Sequence, residues 1–286
     1  MLPLVLFFAG AAADLSSRLA EIAAQAGGRI GAAVCLLETG DHASVRGRDR
    51  FPMQSVYKFP IAMSVLHDVD SGALALDHAV RITERDLVPP SLHSPIRDRF
   101  PDGVSLPLRE VLRYAVAESD GTASDVLLRL AGGPSRVTAY VEGLGVHGVR
   151  IVASEMEMSR ADRVQYRNWA QPEEIIALLR AFQEGRGLSG PSHVLLREWM
   201  TNTLTGLKRL KGLLPDDADV AHKTGTSNTI HGLTAATNDV GIVTLPGGRH
   251  LAIAVFVSDS RAAAGARENT IAQISRAAWD WALAKK

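Results

Sequence analysis

The sequence predicts an α/β (α+β) fold: an antiparallel sheet flanked by terminal helices, with an all-α domain inserted in its middle. Three observations predict it. Strand-like runs with turn signals cluster near both chain ends, helical periodicity dominates the centre, and each terminal segment itself reads as a helix. At 286 residues the chain has the length for one large domain or two interlocked ones.

Taken in order, Met1 to Ala13 is an apolar run ending in small residues, as in a secretory signal with an Ala-x-Ala-type cleavage site, although no Lys or Arg precedes it. A buried N-terminal strand is the other reading. The run is too short to span a bilayer, which needs roughly 20 apolar residues. From Asp14 to Ala26, Leu15, Leu19, Ile22 and Ala23 recur at helical spacing, with Gly27-Gly28 as a stop. Arg29 to Glu38 and His42 to Arg46 read as strands around a Thr39-Gly40-Asp41 turn. Helical segments are expected at Leu108–Val116, Ala123–Leu130, Pro172–Gln183 and Val194–Thr203. Loops are expected at Leu87–Ser91 and Ser159–Arg167. Val240–Leu245 and His250–Val257 form a second hairpin around Pro246-Gly-Gly-Arg249, and Glu268–Lys286 is a closing helix. The expected division is a signal at 1–13, an α/β domain from 14–60 and 205–286, and an all-α domain with the active-site loop at 61–204.

Composition narrows the function classes. Hydrophobic residues make up 46% and charged residues 22%, ordinary for a soluble globular protein. Lys plus Arg and Asp plus Glu each number 31, so nothing points to nucleic acid or an anionic membrane as partner. A small or polar, neutral-to-anionic substrate bound by a few local lysines and arginines is compatible with this balance, and a monomer is expected. Cys35 is the only cysteine and sits in the apolar run Ala32–Leu37, which excludes an internal disulfide and marks a small buried hydrophobe. No His/Cys/Asp cluster has ligand spacing, so neither metal nor cofactor is expected.

Three strings carry the chemistry: Ser55-Val-Tyr-Lys58, Ser119-Asp-Gly121 and Lys223-Thr-Gly225. Each alone is weak; their order and separation make chance unlikely as an explanation. Ser55 and Lys58 share a face on a helix beginning near Ser55, where the N-terminal dipole favours developing negative charge. A serine hydroxyl needs a base in contact, and a neutral Lys58 amine can serve once burial or a second cation, Lys223, destabilises its ammonium. The plainer reading makes Ser55 a helix cap with Lys58 solvated. Ser119 can relay a proton to a leaving group, or simply cap, with Asp120, the helix starting near Ala123. Lys223-Thr-Gly-Thr-Ser227 reads as a strand edge approached closely by a ligand at Gly225. Lys223, Thr224 and Thr226 can hold a substrate carboxylate. Arg209 either reinforces them or is an exposed member of Lys208-Arg-Leu-Lys211.

On these motifs the chain resembles the class A serine β-lactamases, which share the set with penicillin-binding proteins. The segments Phe51-Pro-Met-Gln-Ser-Val-Tyr-Lys-Phe59, Val164-Gln-Tyr-Arg-Asn-Trp169, Arg209-Leu-Lys-Gly-Leu-Leu-Pro215 and Ala221-His-Lys-Thr-Gly-Thr-Ser227 resemble the extended-spectrum PER-type subgroup. The resemblance implies the serine β-lactamase/penicillin-binding fold, a β-lactam substrate, hydrolysis through a serine acyl-enzyme, antibiotic resistance and a periplasmic or secreted location. It implies that Ser55 is acylated, that Ser55 and Thr226 N–H groups form the oxyanion hole, and that Lys58 and Ser119 manage protons. Lys223, Thr224, Gly225, Thr226, Ser227 and Arg209 would bind substrate. Glu155, in Glu155-Met-Glu-Met-Ser159, matches the loop glutamate that activates water, with Glu157 as the competing candidate.

Four departures from the family pattern stand out. Gly121 and Ser159 replace asparagines, the first of which binds lysine and substrate. Ala153 and Asn168 replace the Arg–Asp pair that pins the loop, which implies a roomier loop and oxyimino-cephalosporin turnover. Gly121 implies weaker clavulanate inactivation. His93 stands where an aromatic cleft wall is common, or is a plain surface histidine. A DD-peptidase and a β-lactam sensor share the motifs but lack an effective deacylating base, and a glutaminase-type amidohydrolase leaves Lys223-Thr-Gly unexplained.

Overall fold

In the computed structural model residues 10–285 are described. Residues 1–9, most of the expected export signal, lie outside the described residues. Helix α1 (Gly10–Gln25) leads into the hairpin of β1 (Arg29–Leu36) and β2 (His42–Val45). Next come β3 (Phe51–Pro52), a 3₁₀ turn at Gln54–Tyr57 and α2 (Lys58–Asp70). The middle of the chain holds β4 (Ala79–Ile82), α3 (Pro95–Arg99), β5 (Val104–Pro107), α4 (Leu108–Ala117), α5 (Gly121–Leu130), α6 (Pro134–Gly143) and β6 (Val149–Arg150). A loop segment follows with α7 (Glu155–Met158), a 3₁₀ turn at Val164–Arg167 and β7 (Trp169–Ala170). Then come α8 (Pro172–Gln183), α9 (Gly190–Thr201), β8 (Asp219–Thr226), β9 (Thr229–Ile230), β10 (Leu233–Thr244), β11 (His250–Ser260) and α10 (Ala264–Ala284).

The main sheet is antiparallel in the order β2-β1-β11-β10-β8, with β9 beside β10. Its first and last parts meet directly: Ile30 lies opposite Val257, Val34 opposite Ile253 and Leu36 opposite Leu251. Period-two alternation then sorts the side chains. Ile30, Val34, Leu36, Ile253 and Val257 join Leu15, Leu19 and Ile22 of α1 and Ile271, Ile274 and Trp281 of α10 in one buried layer. Ala33, Cys35, Ala252, Ala254 and Phe256 face the other way, into a core shared with α2, α4, α5 and α8. Each large aliphatic side chain buried this way contributes about 1.5–3 kcal/mol.

Both faces of β1, β10 and β11 are covered, which explains why β1 and β11 read as near-continuous apolar runs; β10 buries Thr234, Thr237, Asn238 and Asp239 beside its apolar second half. Cys35 is the small buried hydrophobe expected, with the Arg180 guanidinium 3.0 Å from its sulfur. Among the described residues no helix is long and apolar enough to cross a membrane.

Candidate active site

Ser55 sits in the 3₁₀ turn between β3 and α2, not in the α-helix proper, and the turn runs straight into Lys58 at the helix start. Gln54 enters the turn with φ 47°, a left-handed conformation that costs a side chain energy. Long-range bonds hold it there. Asn238 of β10 donates to the Pro52 and Met53 carbonyls at 2.8 and 3.1 Å, and the Met53 N–H donates to the Asn168 carbonyl at 3.0 Å. Gly225 completes the clamp. A Cβ there would stand 2.3 Å from the Met53 carbonyl oxygen, so glycine lets β8 close onto the turn. The expected close approach at Gly225 is therefore backbone, and no ligand is needed to explain it.

Lys58 is 1% exposed, which removes the reading of a solvated lysine. Its Nζ lies 2.9 Å from Glu155 Oε1 and donates to the Ser119 carbonyl at 2.7 Å. Ser119 has φ 58°, and its hydroxyl accepts from Lys223 Nζ at 2.9 Å. The cap of α5 is Asp120, whose Oδ1 accepts from the Ala123 N–H at 2.7 Å, so Ser119 is left to the cluster. Lys223 is fully buried on β8. Burial first, and the neighbouring Lys58 charge second, hold its ammonium well below the usual lysine range. A lysine so placed gives up a proton readily to an adjacent hydroxyl.

Beyond Lys223, β8 presents Thr224 and Thr226. Arg209 is 6% exposed and donates to Thr226 Oγ1 at 2.8 Å and to the Asn238 carbonyl at 2.9 Å, with Glu268 3.2 Å away. It is a built-in guanidinium and not a surface charge. Thr205 Oγ1 and Thr224 Oγ1 are 2.6 Å apart. These groups line a cavity of about 500 Å³ together with Gln54, Ser55, Lys58, His93, Ser119, Glu155, Ser159 and Ser227. Lys223 and Gly225 stand behind its wall.

The loop carrying Glu155 is tied at several points. Ser154 and Glu157 form a capping box, the Ser154 N–H donating to Glu157 Oε2 at 2.9 Å. Glu157 thus caps α7, and Glu155 alone of the two reaches Lys58. Asp125 on α5 accepts from the N–H groups of Glu155 and Met156 at 2.7 and 2.9 Å. Burial raises the Asp125 carboxyl to about 6 in spite of these bonds. Asn168 is fully buried; its Oδ1 accepts from the Val152 and Ala153 N–H groups and its Nδ2 donates to the Ala153 carbonyl at 2.7 Å. One amide therefore ties the loop where an ion pair was expected to be missed. Gln165 Oε1 accepts from Gln54 Nε2 at 2.5 Å, joining the loop to the turn that carries Ser55.

Residues 14–282 match the model of the β-lactamase enzyme family. The chain belongs to that family. It is 44% identical to the extended-spectrum β-lactamase PER-1 of Pseudomonas aeruginosa over 238 residues, 83% of this chain and 77% of that protein. A β-lactamase structure from Chitinophaga pinensis superimposes with a TM-score of 0.92 at 49% identity, covering 94% of this chain and 99% of that one. A class A representative from Bacteroides cellulosilyticus gives 0.90 at 31% identity, covering 96% and 99%. The enzyme is a class A β-lactamase, acting on the β-lactam amide bond, and its fold is the class A fold.

In this β-lactamase the remaining sequence candidates take definite places. His93 is exposed on one side, and its Nε2 lies 2.9 Å from the Glu118 carbonyl at the cavity rim. Gly121 donates its N–H to the His93 carbonyl at 2.9 Å, and a Cβ there would meet that oxygen at 3.1 Å and Val88 at 3.3 Å. A side chain there would need the His93 carbonyl or Val88 to give by a few tenths of an ångström. Ser159 lines the cavity, but its hydroxyl donates to the Met156 carbonyl at 2.8 Å. Sequence reading missed Thr205, Gln54, Gln165 and Asp125. Only the glutamate choice had an overlooked signal: Ser154-x-x-Glu157 is a capping box and marks Glu157 as structural.

Proposed function

We propose that this β-lactamase opens penicillins and oxyimino-cephalosporins through an acyl-enzyme on Ser55, with Glu155 as the deacylating base. One observation carries the reading: Lys58 Nζ touches both the Glu155 carboxylate and the Ser119 carbonyl, while Lys223 Nζ holds the Ser119 hydroxyl. Ser55 Oγ attacks the ring carbonyl and passes its proton to the Lys58–Glu155 pair, either end of which can accept it. The C–N bond breaks, and the nitrogen takes a proton from Ser119, which Lys223 resupplies; the Ser55 proton held by the Lys58–Glu155 pair then returns to Lys223, so that Glu155 is again a carboxylate before water attacks. Thr224, Thr226 and Arg209 receive the substrate carboxylate, with the Lys223 charge behind them and Ser227 beside them on the cavity wall. The N–H groups of Ser55 and Thr226 hold the oxyanion. Glu155 then takes a proton from water as it attacks the ester, and Ser55 leaves with a proton. A penicillin-binding or sensing protein needs no carboxylate beside the nucleophile's lysine, and Glu155 favours hydrolysis.

The cleft draws on residues from both sides of positions 60 and 205. This favours an α/β unit of 14–60 and 205–286 and an inserted unit of 61–204, expected as all-α, that is mainly helical and also carries the short strands β4, β5, β6 and β7. The proposed state is a monomer, and the apolar run at residues 1–13 favours export to the periplasm or medium.

Mass spectrometry of wild type and Glu155→Gln mixed with ampicillin tests the mechanism. Rapid turnover by wild type and a stable Ser55 adduct only in the variant are expected. A long-lived adduct on wild type would sink the reading. The spectrum is tested separately: ceftazidime or cefotaxime turnover negligible beside ampicillin would exclude the extended-spectrum proposal.

A further inference from the structure

Gln165 lines the catalytic cleft, whereas its neighbours Tyr166, Arg167 and Trp169 line a second cavity, of about 460 Å³. This cavity lies on the outward face of the small sheet β3-β7-β6. Pro52 stands opposite Trp169 there, and Trp169 opposite Arg150. Residues two apart share a face of extended chain, so Arg50 joins Pro52, Arg167 joins Trp169 and Val152 joins Arg150. All six line the cavity, while Asn168, Ala170, Val149 and Ile151 alternate to the other side and are buried. Strand register thus gathers three guanidinium groups around one indole.

Their charge is not answered by the protein. The Arg50 Cζ stands 4.1 Å from the centroid of the Trp169 ring, which covers the flat face of its guanidinium and leaves the N–H edge free. Among the described residues, Arg50, Arg150 and Arg167 have no carboxylate partner. A fourth arginine, Arg29, is the one that is balanced, with Asp49 at 3.8 Å and Asp259 at 3.9 Å. Asp259 also accepts from the Tyr166 hydroxyl at 2.5 Å. No acidic residue lines this cavity. Another surface cavity, of about 700 Å³, shows the contrast: its Arg81 and Arg85 are accompanied by Glu84 and Asp102. Like charges held around one concavity repel, and an anion placed between them removes that cost.

We propose that this cavity binds a phosphate-type polyanion of the pyrophosphate class, held by the guanidinium forks of Arg50, Arg150 and Arg167. A single carboxylate offers two oxygens and satisfies one fork, whereas linked phosphates present an oxygen pair to each of several forks. The site is separate from the hydrolytic cleft, yet it bears on the same loop. Arg150 and Arg167 belong to the two segments that the Asn168 amide joins from inside, through its bonds to the Val152 and Ala153 N–H groups. A bound polyanion joins those segments from outside.

Isothermal titration calorimetry with sodium pyrophosphate tests the assignment on three proteins: wild type, Arg150→Ala/Arg167→Ala, and the control Arg81→Ala/Arg85→Ala. Wild type binds at one site, and its melting temperature climbs with pyrophosphate concentration. Affinity falls at least about tenfold in Arg150→Ala/Arg167→Ala, as the loss of one charge-assisted hydrogen bond already requires, and is unchanged in the control. Ampicillin turnover by the double variant stays within about twofold of wild type, as expected for exposed positions away from the cleft, and certifies that it is folded. No binding by wild type, or equal binding by wild type and Arg150→Ala/Arg167→Ala, would overturn the proposal. Cosedimentation with phosphatidylglycerol vesicles identifies the source of the phosphate. Vesicle binding that pyrophosphate reverses assigns the site to a lipid headgroup; pyrophosphate binding without vesicle binding assigns it to a free phosphate compound.

Discussion

Lys58→Ala lowers kcat/KM for a penicillin by at least about a thousandfold, and it does so without letting an acyl-enzyme accumulate. Removing the Nζ takes away the group 2.9 Å from Glu155 and the donor to the Ser119 carbonyl. It also leaves Glu155, 6% exposed, without the cation that offsets its buried charge. Both halves of the reaction then fail, acylation first. Glu155→Gln fails only in the second half and leaves the ester in place. Pre-steady-state mass spectrometry separates the two: no ester on Lys58→Ala, abundant ester on Glu155→Gln. A Lys58→Ala enzyme that acylates at a near-normal rate would remove lysine from the first step.

Asp239→Ala destabilises the protein by about 3–5 kcal/mol, a melting-temperature drop on the order of 10 °C. His222 Nδ1 lies 2.9 Å from both Asp239 oxygens, and both residues are fully buried on the side of β8 opposite Lys223. The Leu210 N–H also donates to Asp239, at 3.2 Å. Truncation leaves the ring and that N–H without an acceptor in a dry interior. The double variant His222→Phe with Asp239→Leu regains part of the loss, since two apolar groups need no partner. The Asp239 charge also favours the Lys223 ammonium, so its removal depresses that lysine further. Differential scanning calorimetry decides the case; a loss under about 1 kcal/mol would mean the pair is replaceable by water.

Much of the fold is legible because its elements carry a period. Leu15, Leu19 and Ile22 mark α1, the Pro246-Gly-Gly-Arg249 turn marks the hairpin of β10 and β11, and Pro172 marks the start of α8. The two-residue strands β3, β6 and β7 carry none, because a pair of residues has no periodicity and exists only through its partners. The same divide runs through the site. Ser55, Lys58, Ser119 and Lys223 lie within short strings whose spacing is itself the signal. Thr205, Gln165 and Asp125 are joined to them by contacts between residues far apart in sequence, so they left no local trace. The replacement of the Arg–Asp pair reads as a roomier loop, because nothing local to Asn168 signals that its amide makes three bonds to the backbone at 152–153.

The direct pairing of β1 with β11 has a consequence for how the enzyme is made. Arg29 is among the first described residues and its partner Ser258 among the last, so the central ladder closes a loop that spans most of the polypeptide. Closure on that scale is slow, and it cannot begin until the ribosome has released the C-terminal hairpin. Lys223 and Arg209 also arrive with that late segment. A nascent or truncated chain therefore carries Ser55 in an unarmed state, and chemistry switches on only with the final strand.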